Sequence, residues 1–454
     1  MSASSSGAFR SLANHNYRLW AAGAIVSNIG AWMQFTAQDW LVLVHLTHRN
    51  ATAVGLVMAC QFGPQVLMLP FSGFAADRLD RRKLLIATQS AMGVLSLCLG
   101  LLTLLGWVQL WHVYGFAFLL GCAAAFDAPA RQTFVAELVG EDDLPNAVAL
   151  NSTSFNAARM IGPAVSGVLL AAIGTGAVFL INAASFAAVI GALSLMRTAE
   201  LHVSARAVKR RGGLAEGFGY VWKRPDLKSI LLMLFLVGTF GMNFPIFIST
   251  MSVTVFHGGA SQYGLLTAIM ASGSVIGALM SARRKKPHVA LLLGAAGLFG
   301  FGFLLAAAMP SYWLFGAALI VIGLAAQTLT TTAISVVQLS TDPAMRGRVM
   351  AIVLAIALGG TPIGAPIVGW IADSFGPRWA LGVGAAAGFS AALVGLVYLV
   401  RYKGLRLQVI DGRRRLRLDE ALVPPASGRT VETGVDEVLL AGGAAAIAGE
   451  DFKI

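Results

Sequence analysis

Apolar stretches of about 20 residues or more recur from residue 19 to residue 400, interrupted only by short polar or basic connections. Each is long enough to cross the ~30 Å hydrocarbon core of a bilayer as a helix. The chain is 57% hydrophobic and 12% charged, roughly half the charge fraction of a soluble domain, so a water-soluble fold of this size could not cover itself. Many of the 51 glycines sit inside the apolar runs, where small side chains let lipid-embedded helices pack closely. The pattern predicts an all-α membrane bundle.

Twelve spans are expected, at 19–46, 53–76, 84–105, 111–134, 146–173, 177–196, 229–255, 263–282, 289–309, 312–337, 349–372 and 378–400. The net charge of +12 could suggest nucleic acid, but the basic residues concentrate in alternate connections, as they do when they fix topology. Arg78, Arg81, Arg82 and Lys83, then Arg131, then Lys209 to Lys228, then Arg283 to Lys286, then Arg346 and Arg348 fill the even-numbered connections; the odd ones hold only Arg49 and Arg378. By the positive-inside rule the even connections and both termini are cytoplasmic. The expected location is a bacterial inner membrane. Cys60, Cys98 and Cys122 fall inside expected spans with no metal-ligand spacing, and are read as reduced core residues. The first apolar run exceeds a signal-peptide core, so an uncleaved first span is expected.

A cytoplasmic N-terminus (1–18) precedes a six-helix bundle (19–196), a basic cytoplasmic linker (197–228), a second six-helix bundle (229–400) and a cytoplasmic tail (401–454). The tail, with Arg413, Arg414, Arg415 and Arg417 beside acidic and Ala/Gly-rich stretches, is expected to be largely disordered and to face anionic lipid, with no nucleic-acid partner expected and nucleic-acid binding only a remote alternative. The halves echo one another. Gly162, Gly167 and Gly174 in the fifth span recur at the same spacing as Gly364, Gly369 and Gly376 in the eleventh, which supports a six-plus-six duplication with substrate at the interface of the halves.

The segment GFAADRLDRRK closes the second span and resembles the signature loop of the major facilitator superfamily. Gly73, Asp77, Arg78, Arg81 and Arg82 match, with Asp80 in place of that motif's second glycine. Three longer segments, NYRLWAAGAIVSNIGAWMQFTAQDWLVL, DAPARQTFVAELVGEDDLPNAVALNSTSFNAARMIGPAVSG and RGRVMAIVLAIALGGTPIGAPIVGWIAD, resemble the enterobactin-exporter branch, the third drug:proton antiporter group. The resemblance implies the major facilitator fold, two pseudo-symmetric bundles, and export of siderophores, antibiotics or other amphiphiles. Gly162, Pro163 and Gly167 match its fifth-span antiporter motif; Pro163 removes a helix hydrogen bond, and the glycines allow a close crossing. Ala117 stands where such antiporters often carry a fourth-span arginine, four residues before Gly121, so proton coupling cannot be inherited from that motif.

Ionisable groups inside spans cost a few kcal/mol and mark candidate function. Arg159 lies ~20 Å along its helix from the cytoplasmic start, and is expected to face inward with Asp39 or Asp127 as counter-charge. Asp127 and Arg131, spaced i and i+4, can instead pair locally, and Asp39 can instead be a wetted interfacial acid. Asn28 and Asp39 return to within ~20° on a helix, with Gln34 and Gln38 on a neighbouring arc, a polar stripe suited to a water-filled cavity. In the C-terminal half polar groups are limited to residues such as Asn243, Gln327 and Gln338, so the other wall is expected to be mainly apolar.

No enzyme signature, phosphate-binding loop, cofactor or metal motif is present. The expectation is a monomeric secondary transporter exporting small amphiphilic molecules against protons, with substrate, protons and membrane lipids as its partners. Uptake or uncoupled facilitation on the same fold, and a non-transporting membrane partner or sensor, are the alternatives.

Overall fold

A computed structural model describes residues 9–202, 214–283, 289–402, 405–410 and 413–418 of the chain. The first helix, α1 (His15–Trp40), begins where the Asn14 side chain accepts a hydrogen bond from the Tyr17 amide, and continues as a π-helical turn, Leu41–Leu46. Helix α2 (Ala51–Leu67), capped by Asn50, ends before a one-residue break at Met68, after which α3 (Leu69–Arg78) resumes. Pro70 has no amide hydrogen to donate, which accounts for the interruption of the expected second span. Asp80 then caps α4 (Arg81–Leu104) by accepting the Lys83 amide at 2.9 Å. The residue that departs from the loop motif is thus a helix cap.

Helix α5 (Leu110–Leu138) is followed by α6 (Leu144–Ser194), a 51-residue run broken at Gly174, which contains the expected fifth and sixth spans. A short helix, α7 (Leu214–Trp222), falls in the expected linker and precedes α8 (Pro225–Leu236). The expected seventh span is discontinuous: a π turn, Val237–Gly241, leads to an opening at Asn243, then α9 (Phe244–Thr250) and a second π turn, Met251–Val255. Pro245 at the start of α9 accounts for the opening, again by lacking a donor. The remaining helices are α10 (Ala260–Ala282), α11 (Val289–Ala308), α12 (Tyr312–Ser340), α13 (Arg346–Phe375) and α14 (Pro377–Tyr402).

The start of the expected tail forms an antiparallel pair, β1 (Leu405–Ile410) with β2 (Arg413–Leu418), where disorder was expected. Residues 419–454, the basic cluster Lys209 to Arg211, and Arg284 to Lys286 lie outside the described residues.

Among the described residues nine helical segments are long and apolar enough to cross a membrane: α4, α5, α6, the run Pro225–Val255, and α10 through α14. The polar residues Asn28, Gln34, Gln38 and Asp39 dilute α1, and α2 is only 17 residues long.

Helices α1 to α6 pack mainly among themselves, as do α8 to α14, and the two groups meet along two crossings, α2 on α13 and α6 on α10. The two crossings are built alike. A Cβ on Gly55 of α2 would collide with the Ala365 carbonyl of α13, and one on Gly264 of α10 would collide with the Pro163 carbonyl of α6. Likewise Gly369 faces the Ala51 carbonyl (2.5 Å from an added Cβ) as Gly167 faces the Ala260 carbonyl (2.9 Å). The third glycine of each triplet ends its span: Gly174 has φ 81° and Gly376 φ 99°, backbone that a β-carbon would strain. The repeated glycine spacing therefore corresponds to repeated geometry, helix contact at the first two positions and a turn at the third.

Candidate functional site

The polar groups at the junction break this symmetry. Asp39, one residue before the end of α1 and 6% exposed, accepts a hydrogen bond from the Tyr263 hydroxyl of α10 at 3.1 Å. Trp40 stacks on the same tyrosine ring, 6.4 Å between centroids. No ion pair among the described residues includes Asp39. At the neighbouring crossing the Ser261 hydroxyl donates to the Gly167 carbonyl at 3.2 Å. At the other crossing Asp373, near the end of α13, accepts the amides of Ala51 (2.7 Å) and Thr52 (2.8 Å) and the Thr52 hydroxyl (2.6 Å). A carboxylate at the first turn of α2 meets unpaired amides and the positive end of the helix dipole.

These contacts lie at the end of the molecule that carries residues 47–50, 256–259 and 376. There the π turns of α1 and of the run ending at Val255 finish in matching conformations, with His48 at φ 50° and His257 at φ 53°. Trp40, His48, Arg49 and His257 line a depression of about 440 Å³ between the two groups.

Deeper in, the expected counter-charge for Arg159 is not found. Asp127 is held by Arg131 (3.0 and 3.1 Å), the Thr88 hydroxyl (2.9 Å) and the Gln89 amide (2.7 Å), and Asp39 is held by Tyr263. Of the two readings of Asp127, the geometry is that of the local i, i+4 pair. The Arg159 guanidinium lies over the Trp32 ring, 5.7 Å from its centroid, and Trp32 meets Phe35 and Phe155 edge-on.

The α1 stripe is divided between two surroundings. Asn28 is partly exposed. Gln34 points into the first helix group, accepting from Ser96 (2.7 Å) and from Asn182, so it stabilises α1 against α4 and α6. Gln38 is 1% exposed and its carbonyl oxygen has no partner among the described residues; the same holds for the Asn243 carbonyl oxygen at the opening before α9.

The motif loop sits at the opposite end and bonds within its own group. Arg81 pairs with Glu137 of α5, Arg82 donates to the Leu193 carbonyl at 2.7 Å, and Arg78 lies over Phe74 at 4.1 Å. A Cβ on Gly73 would meet nothing within 4 Å, so no neighbouring helix approaches closely there in this arrangement. Asp77 falls within α3; its side chain lies outside the described ones.

Tyr263 and Asp373 were missed by sequence reading. The six residues between the second and third glycines of each triplet could have located Asp373, because it follows Gly369 by one turn, on the face that meets α2. Tyr263 carries no such signal, since a lone tyrosine at the start of a span reads as an interfacial residue.

Residues 6–420 match the family model described as transmembrane secretion effector. Among characterised relatives the chain is 25% identical over 359 residues to the staphyloferrin A transporter of Staphylococcus aureus, covering 77% of this chain and 87% of that one. It is 25% identical over 367 residues to the multidrug efflux pump Tap of Mycolicibacterium fortuitum (78% and 88% covered), and 26% identical over 377 residues to the enterobactin exporter EntS of Shigella flexneri (80% and 87% covered). The fold is shared with a bacterial homologue of the human lysosomal transporter Spinster in an inward-facing, occupied conformation, at TM-score 0.67 and 15% identity, covering 85% of this chain and 96% of that one. It is also shared with a POT family transporter in complex with 5-aminolevulinic acid, at TM-score 0.69 and 11% identity, with 85% and 95% covered. With its apolar spans and paired helix crossings accounted for, the chain is a multi-pass membrane protein, not an enzyme, and belongs to the transmembrane secretion effector family of the major facilitator superfamily of transporters.

Proposed function

We propose that this transporter exports small amphiphilic molecules across the bacterial inner membrane by alternating access, driven by proton antiport through Asp39. Twelve spans in two six-helix bundles are the supporting frame: the nine apolar segments, with α6 counted as two across Gly174, are completed by α1 and by α2 with α3. With the basic even-numbered connections inside, the junction of Asp39, Tyr263 and Asp373 is the periplasmic end. The arrangement is then closed to the periplasm, and the loop from Gly73 to Arg82 lies at the open cytoplasmic end. In the opposite state that loop closes, with Asp77 contacting the second bundle.

The observation that carries the reading is the Asp39 carboxylate, buried at the closing end and held across the two helix groups by one neutral hydroxyl. An unpaired carboxylate charge in such a place costs several kcal/mol, and a proton removes that charge. Opening of the periplasmic end separates Asp39 from Tyr263 and exposes it to the acidic side, so proton occupancy and the state of the gate are linked. The relatives that carry siderophores and drugs support the direction and the substrate class. Everted vesicles assayed against a compound panel, with and without a pH gradient, test the proposal. Gradient-dependent accumulation supports it; accumulation indifferent to the gradient would favour an uncoupled facilitator.

A further inference from the structure

Arg159 is the intramembrane cation to which proton coupling assigns no task. Arg159, Pro163 and Gly167 follow at four-residue intervals and share one face of α6. Pro163 and Gly167 pack against α10, so this face is turned toward the second helix group. Arg159 lies one turn further in, about 6 Å along the axis from Pro163, and is partly exposed. Phe155, one turn further still, is 48% exposed and touches Trp32 edge-on at 5.9 Å. No ion pair among the described residues includes Arg159, and its ring contact with Trp32 is at 5.7 Å.

The magnitudes leave a deficit. An arginine within a span costs a few kcal/mol even on insertion scales, while a cation–π contact returns about 0.5–2 kcal/mol. Pro163, four residues on, has no amide to donate to the Arg159 carbonyl. One helical turn thus presents a cation with no ion pair among the described residues beside an aromatic wall.

An independent observation lies at the other end of the path. The depression between the groups is lined by His48, Arg49 and His257, with no acid among its lining residues. Arg49 runs against the positive-inside distribution and makes no ion pair among the described residues, whereas Arg378, the other exception, donates to the Ala307 and Met309 carbonyls at 2.7 and 3.1 Å.

Resting on the exporter reading, we infer that Arg159 and Trp32 form the substrate anchor, and that the substrate is an anionic amphiphile. Its carboxylate or comparable anion engages the planar guanidinium, for which arginine is geometrically suited. Its aromatic or aliphatic body lies on Trp32 and Phe155, and the basic mouth at Arg49 receives it on release.

The test is equilibrium binding to the full-length protein in phosphatidylcholine nanodiscs, using aromatic carboxylates of one to four rings and their matched primary amides. Carboxylates are expected to bind at least about tenfold more tightly than their amides, the scale of one charge-assisted contact. The preference should vanish in Arg159→Gln and be weakened but not abolished in Arg159→Lys, which keeps the charge without the planar fork, with Trp32→Leu weakening both members of each pair alike. Variants are compared only when they run as the wild type does in gel filtration. Absence of carboxylate preference in the wild type, an unchanged preference in folded Arg159→Gln, or a preference for aromatic amines overturns the inference. So does loss of carboxylate binding in phosphatidylglycerol nanodiscs, which would assign Arg159 to a lipid headgroup. Gradient-driven efflux of neutral or cationic compounds alone would overturn this inference and leave the exporter reading standing; failure of every compound to move in vesicles would remove the exporter reading itself.

Discussion

Thr52 donates its hydroxyl to Asp373 at 2.6 Å, and the same carboxylate caps the first two amides of α2, so the end of α13 holds the start of α2 through three hydrogen bonds. Hydrogen bonds to charged groups contribute ~1.5–3 kcal/mol each. Asp373→Ala is therefore expected to shift the population toward opening at this end by about 10- to 100-fold. Spin labels at positions 107 and 311, read by distance distributions, should show the longer distance gain weight. An unchanged distribution would remove Asp373 from the gate.

The crossing of α6 and α10 relies on Gly264, where a β-carbon would collide with the Pro163 carbonyl. Backbone cannot yield as a flexible side chain does, so Gly264→Val should prevent closure at the junction and reduce transport by at least tenfold, a cost of ~1.4 kcal/mol or more. Expression and gel filtration should remain normal, because each helix group keeps its own packing. Wild-type transport rates in this variant would contradict the close crossing.

Asp127 has four donors around it, all from the first helix group. Asp127→Asn should keep pH-driven transport and lower stability by about 1–3 kcal/mol, from the loss of its charged pairing with Arg131. Thermal unfolding in detergent measures the second effect and vesicle transport the first. Loss of coupling with unchanged stability would instead make Asp127 a proton carrier.

The helical membrane character was legible because hydropathy over twenty residues sums many weak signals, and the paired glycines because close crossings admit little else. The interruptions at Met68 and Asn243 were not, although Pro70 and Pro245 mark both; a proline within an apolar run does not reveal whether the helix kinks or stops. The stripe on α1 was read as one wall, yet Gln34 turns into its own bundle toward Ser96 and Asn182 while Asp39 crosses to Tyr263. Helical spacing gives angle but not which neighbour fills each direction. The partner of Asp39 lies 224 residues away in sequence, and only the fold brings it there.

Orientation is checked by single-cysteine labelling with an impermeant reagent. Cysteines introduced at positions 49 and 257 should label from the periplasm, and those at positions 81 and 284 only from the cytoplasmic face, because this orientation alone puts the basic connections inside. Periplasmic labelling at 284 would invert the topology.

The link between Asp39 and proton movement is tested most directly by comparing two assays on one variant. Asp39→Asn keeps the shape and a hydrogen-bond partner for Tyr263 but holds no titratable proton. In proteoliposomes it should lose pH-driven transport of a substrate that the wild type moves, while retaining substrate counterflow, which needs no net proton movement. Full pH-driven transport by a folded Asp39→Asn protein would contradict proton antiport through this residue.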